Sequence, residues 1–412
     1  MLSKGYGMEF IMKKMLIFHH YNSAVGAGLS LLHILDGIDK KLFEITVCSP
    51  HVKGDLSEKI EKKKIRVIYS NAVISYMHFS GNNTRFLSRA HFKNIKAICK
   101  AKDEVKAIIE SENPDIVAVN SMTLFWIGRI AQECGCKTLC FHRETYRKGL
   151  LGMRTSYIKK CLGEYFNVVA FLSYYDMEQT PIGKAKYIRL TDKVDVSLYE
   201  ALDQEQSRYL EKLPMEDKLL LYAGGMAKLK GPEVLIKAMS KIHDSSIKVV
   251  FLQYTPMKVE GFVGQVKNLM KIILHKNFQY KIENYIKKHN LQEKIIFRPA
   301  TDKVERYFVA CDAVVFPCHN PHQARPIYEA GIAKKPIIIS DFPNYSEFVD
   351  DTNAWLFPAD DSQKLADCIE NVFSQDIYTK IQNNYRRTFE VNNLKTMPRE
   401  LEKIFKIMDE MN

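Results

Sequence analysis

Residues 219–239 read LLLYAGGMAKLKGPEVLIKAM, and the order of parts in this stretch decides the fold. An apolar run, Leu219–Ala223, ends in Gly224-Gly225; Lys228, Lys230 and Gly231 follow, and Pro232 opens a helical pattern that runs to Lys241. A short, nearly continuous apolar run closed by glycine is the pattern of a strand buried on both faces of a parallel sheet. Proline suits the first turn of a helix, where its missing N–H would have had no partner. The stretch is one strand–turn–helix unit, and its glycines let backbone come close to a ligand.

The unit repeats in both directions. Downstream, Ile247–Leu252, Ile295–Phe297, Ala313–Phe316, Pro336–Ser340 and Ala354–Phe357 read as strands, with helical spacing over Asp302–Val309, Pro326–Ala333 and Ser362–Phe373. Upstream, the strands are Met15–Phe18, Phe43–Cys48, Ile65–Ile68, Ile116–Val119, Thr138–Phe141 and Val168–Leu172, and the helices Leu29–Ile38, Ile95–Ile109 and Leu124–Gln132. Between the two series, Leu190–Lys218 is polar and rich in acids, and reads as an interdomain connection. The expectation is an α/β chain of two doubly wound, Rossmann-like domains, 12–195 and 215–375, facing across a cleft, with terminal helices over 376–412. Ligands of such folds sit at the carboxyl ends of the strands.

Composition narrows the partners. The 412 residues carry 60 Lys and Arg against 48 Asp and Glu, a net charge of +12, which favours phosphates, nucleic acid or anionic lipid. No zinc-finger, RNA-recognition or basic-helix pattern is present, so nucleic acid is not an expected partner. No apolar run approaches the length needed to cross ~30 Å of hydrocarbon. Met12-Lys13-Lys14-Met15 has the look of a chain start, and residues 1–11 are expected to be dispensable. The nine cysteines are odd in number and scattered, as suits a reducing compartment. Cys134, Cys136, Cys140 and His142 form a local group without a second C-x-x-C pair, so no metal is expected there.

Four places could hold chemistry. After the first strand, HHYNSAVGAGL places His19, His20 and a glycine loop with Gly26 and Gly28 before a helix. Free N–H groups at a helix start favour a phosphate, although a tight structural turn explains the loop equally well. Lys228 and Lys230 stand beside the Gly224-Gly225 turn, where lysine can hold a diphosphate as a point charge. TLCFHRETYRKG delivers His142, Arg143 and Glu144 to a strand end. The stretch PCHNPHQARPIYEAG puts Gln323, Ala324 and Arg325 at a helix start and Glu329 one turn later. A carboxylate there can accept two hydroxyls of a ribose; it can equally be a helix residue answering the dipole. From Phe262 to Asn290 six lysines face one acid, Glu283, among apolar residues at roughly helical spacing. That run reads as a helix pair packed on the second domain or as a contact for anionic membrane.

Taken together, these segments resemble the retaining glycosyltransferases of the GT-B fold, family 4 (glycosyl transferases group 1). The likeness runs from Met12 onward and is strongest in YAGGMAKLKGPEVLIKAM, FVACDAVVFP and RPIYEAGIAKKPIIISDFPNYSEFVDDTNAWLFPADDSQKLADCI. It implies transfer of a sugar from a nucleotide-diphosphate sugar to a glycan or lipid-linked acceptor, with no cofactor and no metal. Activity in bacterial surface polysaccharide synthesis is implied too, in the cytoplasm or peripherally at the inner face of the plasma membrane. It implies catalytic roles for His142, Lys230 and Glu329, and a donor site of Gly26, Gly225, Lys230, Gln323, Arg325 and Glu329. Two positions depart from the family pattern. Gly225 stands where an arginine is usual, and Pro321 where the first glutamate of an E-x7-E pair is usual. Arg325 is expected to supply the charge absent at Gly225. These departures also allow a catalytically impaired nucleotide-binding relative that acts as a partner subunit. A sugar-nucleotide epimerase would need further acid/base carboxylates near the donor, for which no positions stand out.

Overall fold

A computed structural model describes residues 12–50, 54–77, 88–147, 151–256, 277–323, 325–374 and 377–411. Residues 1–11 and the larger part of the basic run, 257–276, lie outside the described residues. The chain forms two compact units, Val194–Leu394 and Met1–Lys193 completed by Lys395–Asn412.

The first unit is built on β1 (Lys13–Phe18), β2 (Phe43–Ser49), β3 (Arg66–Tyr69), β4 (Ile116–Val119), β5 (Lys137–His142), β6 (Val168–Phe171) and β7 (Lys186–Arg189). They make one seven-stranded sheet in the order β3-β2-β1-β4-β5-β6-β7. All pairings are parallel; Met15, for example, lies between Ile45 and Ile116. Each inner strand is apolar on both faces because helices cover both, which is why these runs show no alternation. Phe18, Val119, Cys140 and Phe171 fall on one face with the helices Arg89–Glu112, Phe125–Glu133 and Met153–Tyr165. The edge strand β7, KYIR, is largely outside the core and has no apolar run for a reader to find.

The second unit repeats the plan. β8 (Lys218–Tyr222), β9 (Ile247–Phe251), β10 (Ile295–Phe297), β11 (Ala313–Phe316), β12 (Ile337–Ser340) and β13 (Trp355–Phe357) form a parallel sheet in the order β10-β9-β8-β11-β12-β13. In both sheets the order reverses beside the first strand, between β1 and β4 and between β8 and β11. Those two reversals are the topological switch points, where an open α/β sheet leaves room for a ligand. The expected α/β class with two doubly wound domains is thus observed.

Two expectations change. Most of Leu190–Lys218, read as an interdomain connection, belongs to the second unit: Val194, Val196, Tyr199 and Leu213 are buried in its core. The helix Gln204–Leu210 packs on Val304–Ala310. Its Arg208 is buried by bonding the Ala310 and Met215 carbonyls at 2.9 and 2.6 Å and the Asp312 carboxylate at 2.6 Å. Polar content hid a segment whose few apolar positions carry the packing.

The terminal helices part company as well. Tyr378–Asn392 packs on Arg325–Ile332 in the second unit, so closely that a Cβ on Gly331 would lie 2.4 Å from Thr388 Oγ1. Met397–Glu410 belongs to the first unit and lies on Ala27–Gly37, where a Cβ on Gly37 would come within 2.6 Å of Met397 Cγ. Phe405 meets Phe43, with centroids 4.5 Å apart, and buried Lys193 pairs with Glu400 at 2.6 Å.

Candidate functional site

At the second switch point two loops are locked together by backbone. The chain leaves β8 through Gly224 and Gly225 and turns at Gly231 into the helix Pro232–Met239. A Cβ on Gly231 would stand 1.6 Å from the Pro317 carbonyl oxygen, and φ there is +73°. Only glycine meets both conditions. His319 N–H donates to the Leu229 carbonyl at 2.9 Å. The buried Tyr222 hydroxyl donates to the Gly225 carbonyl at 3.0 Å and lies 3.2 Å from that of Lys230. The loop after β8 therefore has one shape, set by the loop after β11.

Gly225 itself has φ +60°, and a Cβ there would lie 2.9 Å from the Gln253 carbonyl. An arginine at this position would be strained by its own backbone. Lys230 is half-buried at the same edge, whereas Lys228 is exposed. Burial lowers the Lys230 pKa, and the Cys318 thiol and Glu329 carboxylate act in the opposite sense. Its ammonium makes no hydrogen bond or ion pair to the described residues, so a charge is held part-way out of water with only distant compensation.

Glu329 is buried on the helix Arg325–Ile332 and accepts from Arg325 Nε at 3.1 Å, an i,i+4 pair with both side chains largely covered. Arg325, expected to supply the charge absent at Gly225, is here paired with the Glu329 carboxylate. Gln323 and Pro321 are half-buried in the loop before this helix, and the His322 carbonyl accepts from Asn344 Nδ2 at 2.8 Å. Lys230, Arg325 and Glu329 thus meet at one sheet edge, as their positions after β8 and β11 imply.

The first switch point is built differently. Gly26, exposed with φ +52°, precedes the helix Ala27–Gly37, and the loop before it is pinned by Asp55, which accepts from Ala24 N–H at 3.2 Å. Beneath the loop lies a buried polar chain. Arg143 Nε donates to Asn120 Oδ1 at 3.0 Å, so the Asn120 amide nitrogen faces the Ala27 carbonyl at 2.9 Å and His19 Nδ1 at 3.1 Å. His19 Nδ1 is then an acceptor, and the ring proton sits on Nε2. Arg143 Nη1 reaches Asp192 at 3.4 Å, and Ser30 donates to the same carboxylate oxygen. Burial drives both His19 and His20 down, His20 to about 4, so both rings are neutral at neutral pH. Burial raises Glu144, against the bonds it accepts from Ser121, Met122 N–H and Arg143 N–H.

His142 is fully buried, with its ring between Tyr146 and Phe171 at 4.8 Å each. Arg143, just past the end of β5, instead turns to Asn120 and Asp192. Cys134 and Cys136 flank the turn that enters β5, and His142 closes that strand, roughly 15–20 Å away along six residues. Among the described residues no three His, Cys, Asp or Glu side chains converge as metal ligands. Asn120, Asp192 and Ser30 were not singled out from sequence; their partners lie 23 to 162 residues away, and no local spacing links them.

The match to a known family falls on the part of the chain that holds Lys230 and Glu329. The family "Glycosyl transferases group 1" matches residues 203–389. Residues 203–389 form a glycosyl transferases group 1 domain. That domain starts within the segment first read as a connection and contains both loops of the second switch point. Among solved structures, Anabaena HepE in complex with UDP-glucose is similar at 15% identity and TM-score 0.72, over 96% of this chain and 99% of that one. Sucrose-phosphate synthase from Thermosynechococcus elongatus is similar at 14% identity and TM-score 0.74, over 97% of this chain and 100% of that one. A UDP-forming trehalose-phosphate synthase from Burkholderia xenovorans matches at 12% identity and TM-score 0.68, over 97% and 99%. At these identities the likeness is one of fold, and the fold is the two-domain GT-B type, of which the glycosyltransferase domain is the second half. A search of curated proteins gives no match.

Proposed function

We propose that the protein is a metal-independent, retaining glycosyltransferase. It moves a sugar from a nucleotide-diphosphate sugar to a glycan or lipid-linked acceptor, in bacterial surface polysaccharide synthesis at the cytoplasmic side of the membrane. The observation that carries this reading is the second switch point. There a half-buried, unpaired lysine, a glycine turn and a buried carboxylate share one sheet edge inside a glycosyl transferases group 1 domain. In this reading Lys230 holds the donor diphosphate and Glu329 accepts from the ribose hydroxyls. Gln323 brings a side-chain amide to the donor, Gly225 shapes the turn beside Lys230, and Gly26 brings a helix start to the phosphates. The leaving diphosphate takes the acceptor's proton, and the protein contributes mainly by positioning and by stabilising developing phosphate charge. UDP is the first nucleotide to try, since similar folds have been crystallised with UDP or UDP-glucose.

Arg325 has a double task here: it neutralises Glu329 in the free protein and turns to the diphosphate when the donor enters. His142 is assigned to the donor sugar by resemblance. Its complete burial makes His142→Ala informative, because a lower kcat at unchanged melting temperature supports that role and a lower melting temperature alone supports packing. The test of the whole reading is a melting-temperature screen over UDP-, GDP- and other nucleotide sugars, repeated with Glu329→Ala. Stabilisation by one sugar nucleotide that disappears in the variant is expected; no stabilisation by any would end the reading. Turnover should persist in EDTA, and loss there with recovery on adding manganese would remove the metal-independent step. The second reading, a nucleotide-binding partner subunit, rests on Pro321. It is separated by release of free nucleotide when acceptor is added.

A further inference from the structure

The helix Arg89–Glu112 is two-faced along its length. Its second half carries acids and ion pairs such as Lys106–Glu110. From residue 89 to 102 there is no acid at all, and Arg89, Lys93, Lys96, Lys100 and Lys102 supply five cations. Arg89, Lys93, Lys96 and Lys100 are spaced i, i+4, i+7, i+11 and share one stripe. Beside it Phe92, Ile95 and Cys99 are spaced i, i+3, i+7, and all three are exposed, Phe92 by 56%. The opposite face, with His91, Ile98, Ala101 and Val105, is buried in the first unit.

A second exposed apolar group stands at the same end. Tyr76 packs on His91 at 5.5 Å and on Phe125 at 5.3 Å, and Phe125 packs on Tyr157 at 5.6 Å. Tyr157 is 52% exposed, and Leu151 and Met153, just ahead on the same segment, are exposed by 82% and 54%. A face that stays in water gains nothing from large apolar side chains beside cations that have no ion-pair partner among the described residues. A bilayer with anionic headgroups accepts both, the chains at the acyl boundary and the lysines among the phosphates.

We propose that this face of the first unit, centred on Arg89–Lys102 and Leu151–Tyr157, docks on an anionic lipid bilayer. The helix Phe278–Lys288 of the basic run is a poorer candidate, because its Ile282 and Ile286 are buried against the second unit and it offers mainly charge. The surface does not rest on the transfer reaction.

Flotation of the full chain with phosphatidylglycerol–phosphatidylcholine vesicles, against phosphatidylcholine alone, tests it. Binding to the anionic vesicles only is expected. It should weaken about 100-fold in Lys93→Gln/Lys96→Gln/Lys100→Gln, since each lysine near such a surface counts for about 1 kcal/mol. Phe92→Ser/Ile95→Ser should leave only weak binding that salt abolishes. All of these side chains are exposed, so an unchanged melting temperature certifies the variants. The proposal is overturned if neither vesicle binds, if the triple variant floats like the parent, or if Lys281→Gln/Lys287→Gln/Lys288→Gln is the variant that loses binding. Tighter capture of short duplex DNA, lost in the same triple variant, would assign the face to nucleic acid instead. A chain that floats but is stabilised by no nucleotide sugar keeps this surface and loses the transferase reading.

Discussion

The two switch points occupy the same place in two sheets of the same strand order, yet they are furnished in opposite ways. Between β1 and β4 the edge is filled with side chains that answer one another: Asp192 faces Arg143, Arg143 faces Asn120, and Asn120 faces His19. Between β8 and β11 the edge is made of backbone, with Gly225 and Gly231 in left-handed conformations and a lysine that has no ion-pair partner among the described residues. A buried network in which the guanidinium is tied to a carboxylate and an amide has little charge left to offer. A half-buried lysine with distant compensation costs stability, and an anion beside it would relieve that cost. The comparison teaches that equal topology fixes where a site can be, while the furnishing of each edge decides what chemistry it can offer.

That contrast can be broken at several points. The largest effect is expected from Arg143→Met, which takes the guanidinium away from the Asp192 carboxylate and removes the Nε donor to the Asn120 oxygen in the first unit. Breaking a buried pair in this way costs about 3–5 kcal/mol, measurable by urea unfolding; a loss below about 1 kcal/mol would show that the network is not structural. Gly231→Ala should follow at about 3 kcal/mol, from the positive φ and the collision with Pro317. Normal stability in that variant would mean the two loops of the second edge are not locked together.

Acid sharpens the difference between the units. His20 falls from 6.5 unfolded to about 4 folded, so the unfolded chain binds the proton first as pH drops. Its share of stability is complete above about pH 6.5 and is lost on going down to pH 4, up to roughly 3 kcal/mol in the first unit. His19 acts in the same sense. In His20→Gln the melting temperature between pH 6.5 and 4 should depend less on pH, and an unaltered slope would contradict the burial of the ring.

The smallest change in stability, and the most specific in function, belongs to Lys230→Met. Burial depresses its pKa, so the penalty of holding the charge is present in full at neutral pH and eases as pH rises toward 10.5. The variant should be as stable as the parent or slightly more so, by up to about 1 kcal/mol, while sugar nucleotides cease to raise its melting temperature. Arg325→Ala tests the double task of that residue: a donor affinity equal to the parent's would confine Arg325 to its pair with Glu329.

Much of this was legible beforehand. Runs such as Ile116–Val119, Ile295–Phe297 and Ala313–Phe316 match their strands residue for residue, because a strand covered on both faces must be apolar throughout. The edge strand Lys186–Arg189 was not legible, since half its environment is solvent and its composition says so. The start of the second unit was hidden for the opposite reason. Arg208 looks like surface in a sequence and is buried because carbonyls and Asp312 surround its guanidinium.

By itself, the sequence determined the α/β class, the two series of βα units, and the loops from which Lys230, Arg325 and Glu329 arise. These follow from local patterning, where burial and turn geometry impose residue type over a few positions. Only the tertiary structure decided what each of those groups meets. It paired Arg325 with Glu329, turned His142 into the core and sent Arg143 to Asp192. It placed the last helix on the first unit and locked Gly231 under Pro317. Such meetings join residues far apart in the chain, and nothing in the spacing along it records a distance across the fold.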